Sequence, residues 1–342
     1  MVSSSDKIVE KFISLVIPNY NGSATIGKCL EAAFASHYGN FEIIVVDDCS
    51  TDDSVDIVTL YPCKLIRMKN HSGAAGARNA GAASSSGALL FFIDADCLIK
   101  ADALARANQA AAENANTVIG GTYTQQPYDA DFFSIFQSFF IHYFETKKQE
   151  PDYIATHAMI INADLFRSSG GFREGFFPII EDVEFCHRLR RSGCRLLMQP
   201  EILVTHVFNF TLMKSLRNGF RKSMYWTMYS LMNRDLFADS GTASVELKAN
   251  VAAFYLNAFC VTISLYCGNA VYLVPVPFVC AADIFFSRGL IASFYRVKGF
   301  SFTIAATLYY TAVYPLSIGS GALLGSLKHF LIHGKKRVTI SS

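Results

Sequence analysis

The nine cysteines of this 342-residue chain include no CxxC pair, and their number is odd. Cys29, Cys49, Cys63, Cys97, Cys186, Cys194, Cys260, Cys267 and Cys280 are scattered, several inside apolar runs. That pattern argues against a zinc or disulfide scaffold and for small buried thiols in a reducing compartment. The opening MVSSSDKIVEKF has no apolar core and no small-residue cleavage site. No signal peptide is expected, so the N-terminal domain is expected to stay on the side where it is made. A large charge imbalance is also missing. The net charge of +2 argues neither for nor against a polyanionic partner. Charged residues are scarce at 17%, against 51% hydrophobic, and the apolar excess collects after about Asn250.

The first half alternates two periodicities. FISLVIPNY (12–20), FEIIVVDD (41–48), CKLIRM (63–68) and ALLFFIDAD (88–96) read as strands. Between and after them, 23–36, 51–61, 72–86 and 101–114 read as helices. A βαβαβαβ order predicts an α/β fold with a mostly parallel central sheet covered on both faces. Further on, DVEFCHRLRRSG (182–193) is a helix stopped by Gly193, and 198–208 is extended. The basic, aromatic stretch 212–235 fits an amphipathic helix on a bilayer surface or an ordinary packed helix.

The last third is suited to lipid. Residues 251–286 are almost charge-free and about twice the ~20 residues that cross a bilayer. They read as a helical hairpin turning near Gly268–Asn269, with Asp283 reaching the headgroups. Residues 300–327 are a third candidate span, kinked at Pro315, or else Tyr309, Tyr310 and Tyr314 form an interfacial cluster. Three spans would put Arg288, Arg296 and Lys298 on one side and Lys335, Lys336 and Arg337 on the other, against the positive-inside rule. The sequence leaves two or three spans open.

Four stretches carry candidate chemistry. Asp94 and Asp96 end an apolar strand, where parallel sheets bind ligands. Paired carboxylates there can hold Mg²⁺ or Mn²⁺ against a diphosphate, although two solvated turn aspartates look the same. IIVVDDCSTDDS (43–54) offers Asp48 as an acceptor for a base or ribose, or simply a helix cap at Ser50 and Asp52. GAAGARNAG (73–81) offers glycines for close backbone approach, and Arg78 as a fixed positive charge. Glu181–Asp182, on a turn opened by Pro178, offer a general base or a helix N-cap. His206 in LVTHVF is a core histidine or a ligand.

Taken in order, SLVIPNYNG, IIVVDDCSTDDS, SGAAGARNAG, FFIDAD, GGFREGF and IIEDVEFCHRLRRSG resemble the family-2 inverting glycosyltransferases of the GT-A fold, over Phe12 to Met232. The resemblance implies a catalytic domain over 10–237 and a C-terminal membrane region of transmembrane helices over 250–330. It implies that Pro18, Tyr20 and Asp48 line the nucleobase and ribose pocket and that Arg78 touches the nucleotide. Asp94 would face the ribose or the metal, Asp96 would bind the divalent ion (Mg²⁺ or Mn²⁺), Asp182 beside Glu181 would be the base, and His206 would be a further metal ligand. The QxxRW motif of processive synthases is missing; NGFRKSMYW (218–226) does not match it, which implies transfer of one sugar at a time.

The implied partners are a nucleotide-sugar donor, a membrane lipid or lipid-linked glycan acceptor and the bilayer, with no nucleic acid. The implied location is integral to a bacterial inner membrane, catalytic domain cytoplasmic, in making cell-envelope polysaccharide. A sugar hydroxyl and a polyprenyl phosphate both remain open as acceptor, and a catalytically silent scaffold is the reading from another class.

Overall fold

The computed structural model describes residues 9–338 apart from positions 115, 176 and 178, and only the backbone beyond residue 331. The chain divides into two compact units, one of residues 1–130 and 145–209, the other of residues 131–144 and 210–342.

The first unit is built on a sheet of β1 (Ile13–Asn19), β2 (Phe41–Asp47), β3 (Lys64–Arg67), β4 (Leu89–Phe92), β5 (Cys97–Ile99), β6 (Thr117–Tyr123), β7 (Met159–Asn162) and β8 (Arg195–His206), in the order β3-β2-β1-β4-β7-β6-β8-β5. The four strands read from the N-terminal half are parallel neighbours. Beyond β4 the sheet is mixed: β7 runs antiparallel to both β4 and β6, β8 is parallel to β6, and β5 is antiparallel to β8. The expected mostly parallel sheet therefore holds for one half only. Sequence periodicity marks a strand but not its direction, and β6 to β8 lie in the stretch with the weakest alternation.

Helices cover this sheet because their apolar residues recur on one face. In α1 (Ile26–Phe34) the buried positions are Ile26, Cys29, Leu30 and Ala33, the spacing of one helical stripe. After α2 (Ser54–Thr59) comes α3 (Gly73–Ala83), whose Gly81 lies against the sheet. A Cβ there would come 2.4 Å from Val16 Cγ1 and 3.1 Å from Val46 Cγ2. The glycine thus serves helix–sheet packing, whereas the sequence pointed to close approach of a ligand. Next are α4 (Ala103–Glu113), α5 (Phe132–Glu145), α6 (Ala163–Ser168) and α7 (Glu181–Arg191). The left-handed Gly193 (φ +86°) follows α7, as its sequence requires. The turn expected at Pro178 lies partly outside the described residues.

The second unit is helical. It takes nearly all of α5, then α8 (Leu212–Asn233), α9 (Val245–Cys267), α10 (Pro275–Phe286), α11 (Arg288–Leu308) and α12 (Tyr314–Val338). α9 ends where Gly268 turns left-handed (φ +62°), the expected hairpin turn. α10 has 12 residues, so it rises ~18 Å, well short of the ~30 Å of a hydrocarbon core. Among the described residues, one helix, Val245–Cys267, is long and apolar enough to cross a membrane. A second candidate arises only if Ala270–Phe286 and Arg288–Leu331, bent by 64°, count as one span.

Two local expectations change. Asp283 turns inward, 7% exposed, toward Asn250. Tyr309, Tyr310 and Tyr314 are buried rather than interfacial; Tyr309 and Tyr314 pack edge-on against Phe136 of α5. α8 packs on α12 at backbone distance. A Cβ on Gly321 would lie 2.3 Å from the Phe220 carbonyl, and one on Gly325 the same distance from that of Met224. Small residues four apart let two helices approach this closely.

Candidate active site

Tyr20 follows β1, Asp48 follows β2, and Asp94 and Asp96 follow β4, so all four stand at the carboxyl ends of neighbouring parallel strands. That is where open α/β sheets present side chains to ligands.

The ends of β1 and β2 are first locked to each other. Asn19 is buried and donates through Nδ2 to Asp47 Oδ1 (3.1 Å) and to Ser54 Oγ (3.0 Å). Asp52 accepts the backbone N–H of Ser23 and of Ser54 and the Ser54 hydroxyl. Burial works to raise the Asp52 carboxyl, but these hydrogen bonds outweigh it and hold the group down at about 2.

Asp48 is 2% exposed. Its Oδ1 accepts the Ser72 N–H and its Oδ2 the Gly73 N–H, both at 2.8 Å, at the start of α3. His71 Nδ1 lies 3.0 Å from the same Oδ2. The carboxylate thus caps α3, a charge-assisted arrangement favoured by the helix dipole. The exposed Tyr20 ring stands over His71 with centroids 4.5 Å apart. Tyr20 and His71 therefore make the accessible rim above Asp48. Pro18, half-buried within β1, pairs with Val46.

Arg78 joins the distant parts. It is 3% exposed, and its Nη1 donates to Glu181 Oε1 (2.7 Å) while its Nη2 donates to Asp94 Oδ1 (2.6 Å). Residues 16 and 103 positions away along the chain are thereby tied to one guanidinium. Burial works against ionising Arg78, but Asp94 and then Glu181 outweigh it and strengthen its hold on the proton. Burial likewise opposes ionising Asp94, and Arg78 outweighs that, keeping its carboxyl below the usual range. Asp182 is the second residue of α7, half-buried, with Oδ1 accepting the Val183 N–H (2.8 Å).

Among the described residues, Asp96 has no such guanidinium partner. Desolvation, and then the charge of Asp94, push its carboxyl upward, although the side chain keeps 44% of its surface exposed and water screens part of this. Its Oδ1 lies 3.4 Å from His206 Nε2 and 3.7 Å from Cys97 Sγ. Ligand atoms of Asp96, Cys97 and His206 all lie within 4.8 Å of one another. β5 pairs Cys97 directly with His206 of β8, which explains how a residue 110 positions downstream arrives here. The fit to a divalent ion is good: a half-buried carboxylate, with no Lys or Arg partner among the described residues, beside an imidazole. Burial pushes the Cys97 thiol well up, which makes the carboxylate and imidazole the readier donors of the three.

Three neighbours escaped the sequence reading. Tyr123 stacks on His157 (4.0 Å) and meets His206 edge-on (5.0 Å). His157 Nε2 lies 3.3 Å from Glu145, both buried. They come from three separate segments, α5, β6 and the stretch before β7, so no local spacing betrays them. His71, beside the Gly-rich stretch, was also missed.

Residues 14–168 match the family described as Glycosyl transferase family 2. The chain is 31% identical over 131 residues to the glycosyltransferase GlyG of Streptococcus pneumoniae, an alignment covering 36% of this chain and 44% of that one. It is 39% identical over 89 residues to WfaP of Escherichia coli, covering 25% and 36%. That protein is described as a UDP-Glc:alpha-D-GlcNAc-diphosphoundecaprenol beta-1,3-glucosyltransferase. These alignments span less than half the length of either relative. Among solved structures, the mannosyltransferase PcManGT of Pyrobaculum calidifontis, determined with GDP-Man and Mn²⁺, superposes with a TM-score of 0.57 at 15% identity, covering 94% of this chain and 88% of that one. The likeness is one of fold. The coarse expectation of fold stands: a GT-A-like α/β fold, with a mixed sheet, whose residues 14–168 match the glycosyltransferase family 2 model.

Proposed function

We propose that this chain is a membrane-anchored, divalent-metal-dependent glycosyltransferase that moves one sugar from a nucleotide-sugar donor to a membrane-associated acceptor, with inversion. The observation that carries the reading is Arg78, which holds Asp94 of the strand ends and Glu181 of the α7 start at one point. Asp96 and Asp182 are the next acidic residues along each of these two segments.

Tyr20 and His71 form the rim against which a nucleobase would lie, and Asp48 fixes that rim by capping α3. Arg78 orients Asp94 and Glu181, and its own charge is neutralised by them. Asp96 and His206 would hold the divalent ion, which when bound neutralises the leaving diphosphate. Asp182 takes the proton from an acceptor hydroxyl as it attacks the anomeric carbon. A sugar hydroxyl on a lipid-linked glycan is the favoured acceptor; the lipid-diphosphate sugar named for WfaP supports that class. Anchoring is supported by α9 and by the exposed apolar residues along it, such as Phe259, Leu265 and Tyr266.

Two variants test the assignment together. Asp96→Ala should remove Mn²⁺-dependent donor binding in calorimetry. Asp182→Asn should bind donor as before and lose transfer to a lipid-linked acceptor by about 10²–10⁴-fold. Unchanged Mn²⁺-dependent affinity in the first, or full turnover in the second, would overturn the corresponding role.

A further inference from the structure

The helical unit buries a polar cluster that the proposed reaction does not use. Asn250 of α9 is 0% exposed, Ser287 at the α10–α11 junction 1%, Asp283 of α10 7%, and Tyr310 0%. Asn250 Nδ2 donates to Asp283 Oδ2 at 3.2 Å. Ser287 lies one helical turn beyond Asp283, and its N–H bonds the Asp283 carbonyl, so both share a face. Tyr310 lies within hydrogen-bonding reach of the Ser287 side chain and within electrostatic reach of Asp283 and Glu246. It belongs to a five-residue π-helical stretch, Tyr309–Val313, between α11 and α12. Such bulges are often found at functional sites.

What this cluster lacks is a positive charge. Asp283 Oδ1 and Asn250 Oδ1 have no hydrogen-bond partner, and Ser287 Oγ and Tyr310 Oη have none beyond each other. Leaving one such buried group unsatisfied costs about 1–3 kcal/mol, and more for a charged one. No basic side chain among the described residues pairs with Asp283. Arg288, the nearest in sequence, turns away: its Nη1 donates to the Phe285 carbonyl, and its guanidinium sits 4.2 Å over the Phe285 ring. Glu246, Arg288 and Arg296 all lie within electrostatic reach of Tyr143 in the same unit.

An ionisable residue inside an apolar helical unit marks a ligand pathway or site more often than a structural device. A donor set made only of oxygens, with one carboxylate and three neutral groups, selects a hard metal ion over a soft one. We propose that Asp283, Asn250, Ser287 and Tyr310 form a second cation site, which binds a small hard metal ion and locks α9, α10 and the π-helical turn together.

The test uses the full chain in nanodiscs of fixed lipid composition. The thermal midpoint is followed against NaCl, KCl, MgCl₂ or CaCl₂, with ionic strength held constant by choline chloride. The expected result is a saturable rise of about 3 °C or more with one of these ions. Asp283→Asn should abolish the rise, while Asp96→Ala should retain it. That pair keeps this site distinct from the proposed catalytic ion, so either assignment can fail alone. If Asp283→Asn does not fold, Tyr310→Phe and Ser287→Ala should each shift the half-saturating concentration at least about tenfold, because each removes one ligand. Midpoints that never differ from choline chloride would overturn the proposal, as would a rise that survives Asp283→Asn and disappears in Asp96→Ala. So would an Asp283→Asn protein as stable as the parent without any metal, since Asp283 would then be a neutral structural acid.

Discussion

Arg78 shows how much of the site depends on single charges. It is buried, and it balances two carboxylates drawn from separate segments. Replacing it with Met would keep much of the volume and leave Asp94 and Glu181 facing each other without a cation. Breaking a buried pair in this way costs about 3–5 kcal/mol. Arg78→Met should lower stability by that amount in chemical denaturation, and a loss under about 1 kcal/mol would mean that the two acids find other partners. Asp52 gives the opposite kind of test, because its effect depends on pH. Its folded carboxyl is held at about 2, below its ordinary value of 3.8. The stabilisation is therefore complete above about pH 4 and fades as pH falls toward 2. The gap in denaturation midpoint between the parent and Asp52→Ala should be constant from pH 7 to about 4 and close below that; a gap that persists at pH 2 would assign the effect to packing.

At the scale of elements, the same chemistry was legible wherever it followed a strong local pattern. The strands β1, β2 and β4 are continuous apolar runs ending in polar residues, so the edge bearing Asp48, Asp94 and Asp96 could be read directly. His206 could be placed beside Asp96 only by resemblance, because the antiparallel pairing of β5 with β8 is a tertiary fact with no local trace. The Arg78–Glu181 pair was hidden for the same reason, although both residues had been singled out. The Gly-rich helix was legible as a helix, but the role of its Gly81 in packing on the sheet was not. Gly81→Ala tests the corrected reading, since propensity and packing predict opposite signs. Alanine favours a helix interior by ~1 kcal/mol over glycine. A Cβ 2.4 Å from Val16 Cγ1 cannot fit without movement, and overpacking of that kind costs ~1–3 kcal/mol. The variant should be less stable, and adding Val16→Ala should recover part of the loss through a favourable coupling term. A stabilised Gly81→Ala would show that α3 can move off the sheet at no cost.

For the whole molecule, the division into two units changes where the chain can be cut. The hydropathy pattern alone recommends ending it near Ala249, just before the charge-free stretch, to release a soluble catalytic domain. The fold argues otherwise, because α5 lies far upstream yet packs with the C-terminal helices. Its Phe136 and Phe139 meet Phe294 of α11, and its Phe140 meets Tyr314 of α12. A cut at Ala249 removes α11 and α12 and uncovers that aromatic row. It also strips α8 of α12, the helix against which Gly219 lies closely enough that a Cβ would come 3.0 Å from Tyr314 and Ile318. Each large aromatic side chain re-exposed costs roughly 1.5–3 kcal/mol, and an apolar patch of that size drives association or membrane binding. The shortened chain should therefore sediment with membranes or as aggregate. Replacing Phe136, Phe139 and Phe140 with Ser in the shortened chain should move it toward the supernatant, because those three rings form the uncovered face. Ultracentrifugation of both versions decides the matter: a soluble chain ending at Ala249 with its phenylalanines intact would mean that α5 finds cover within what remains.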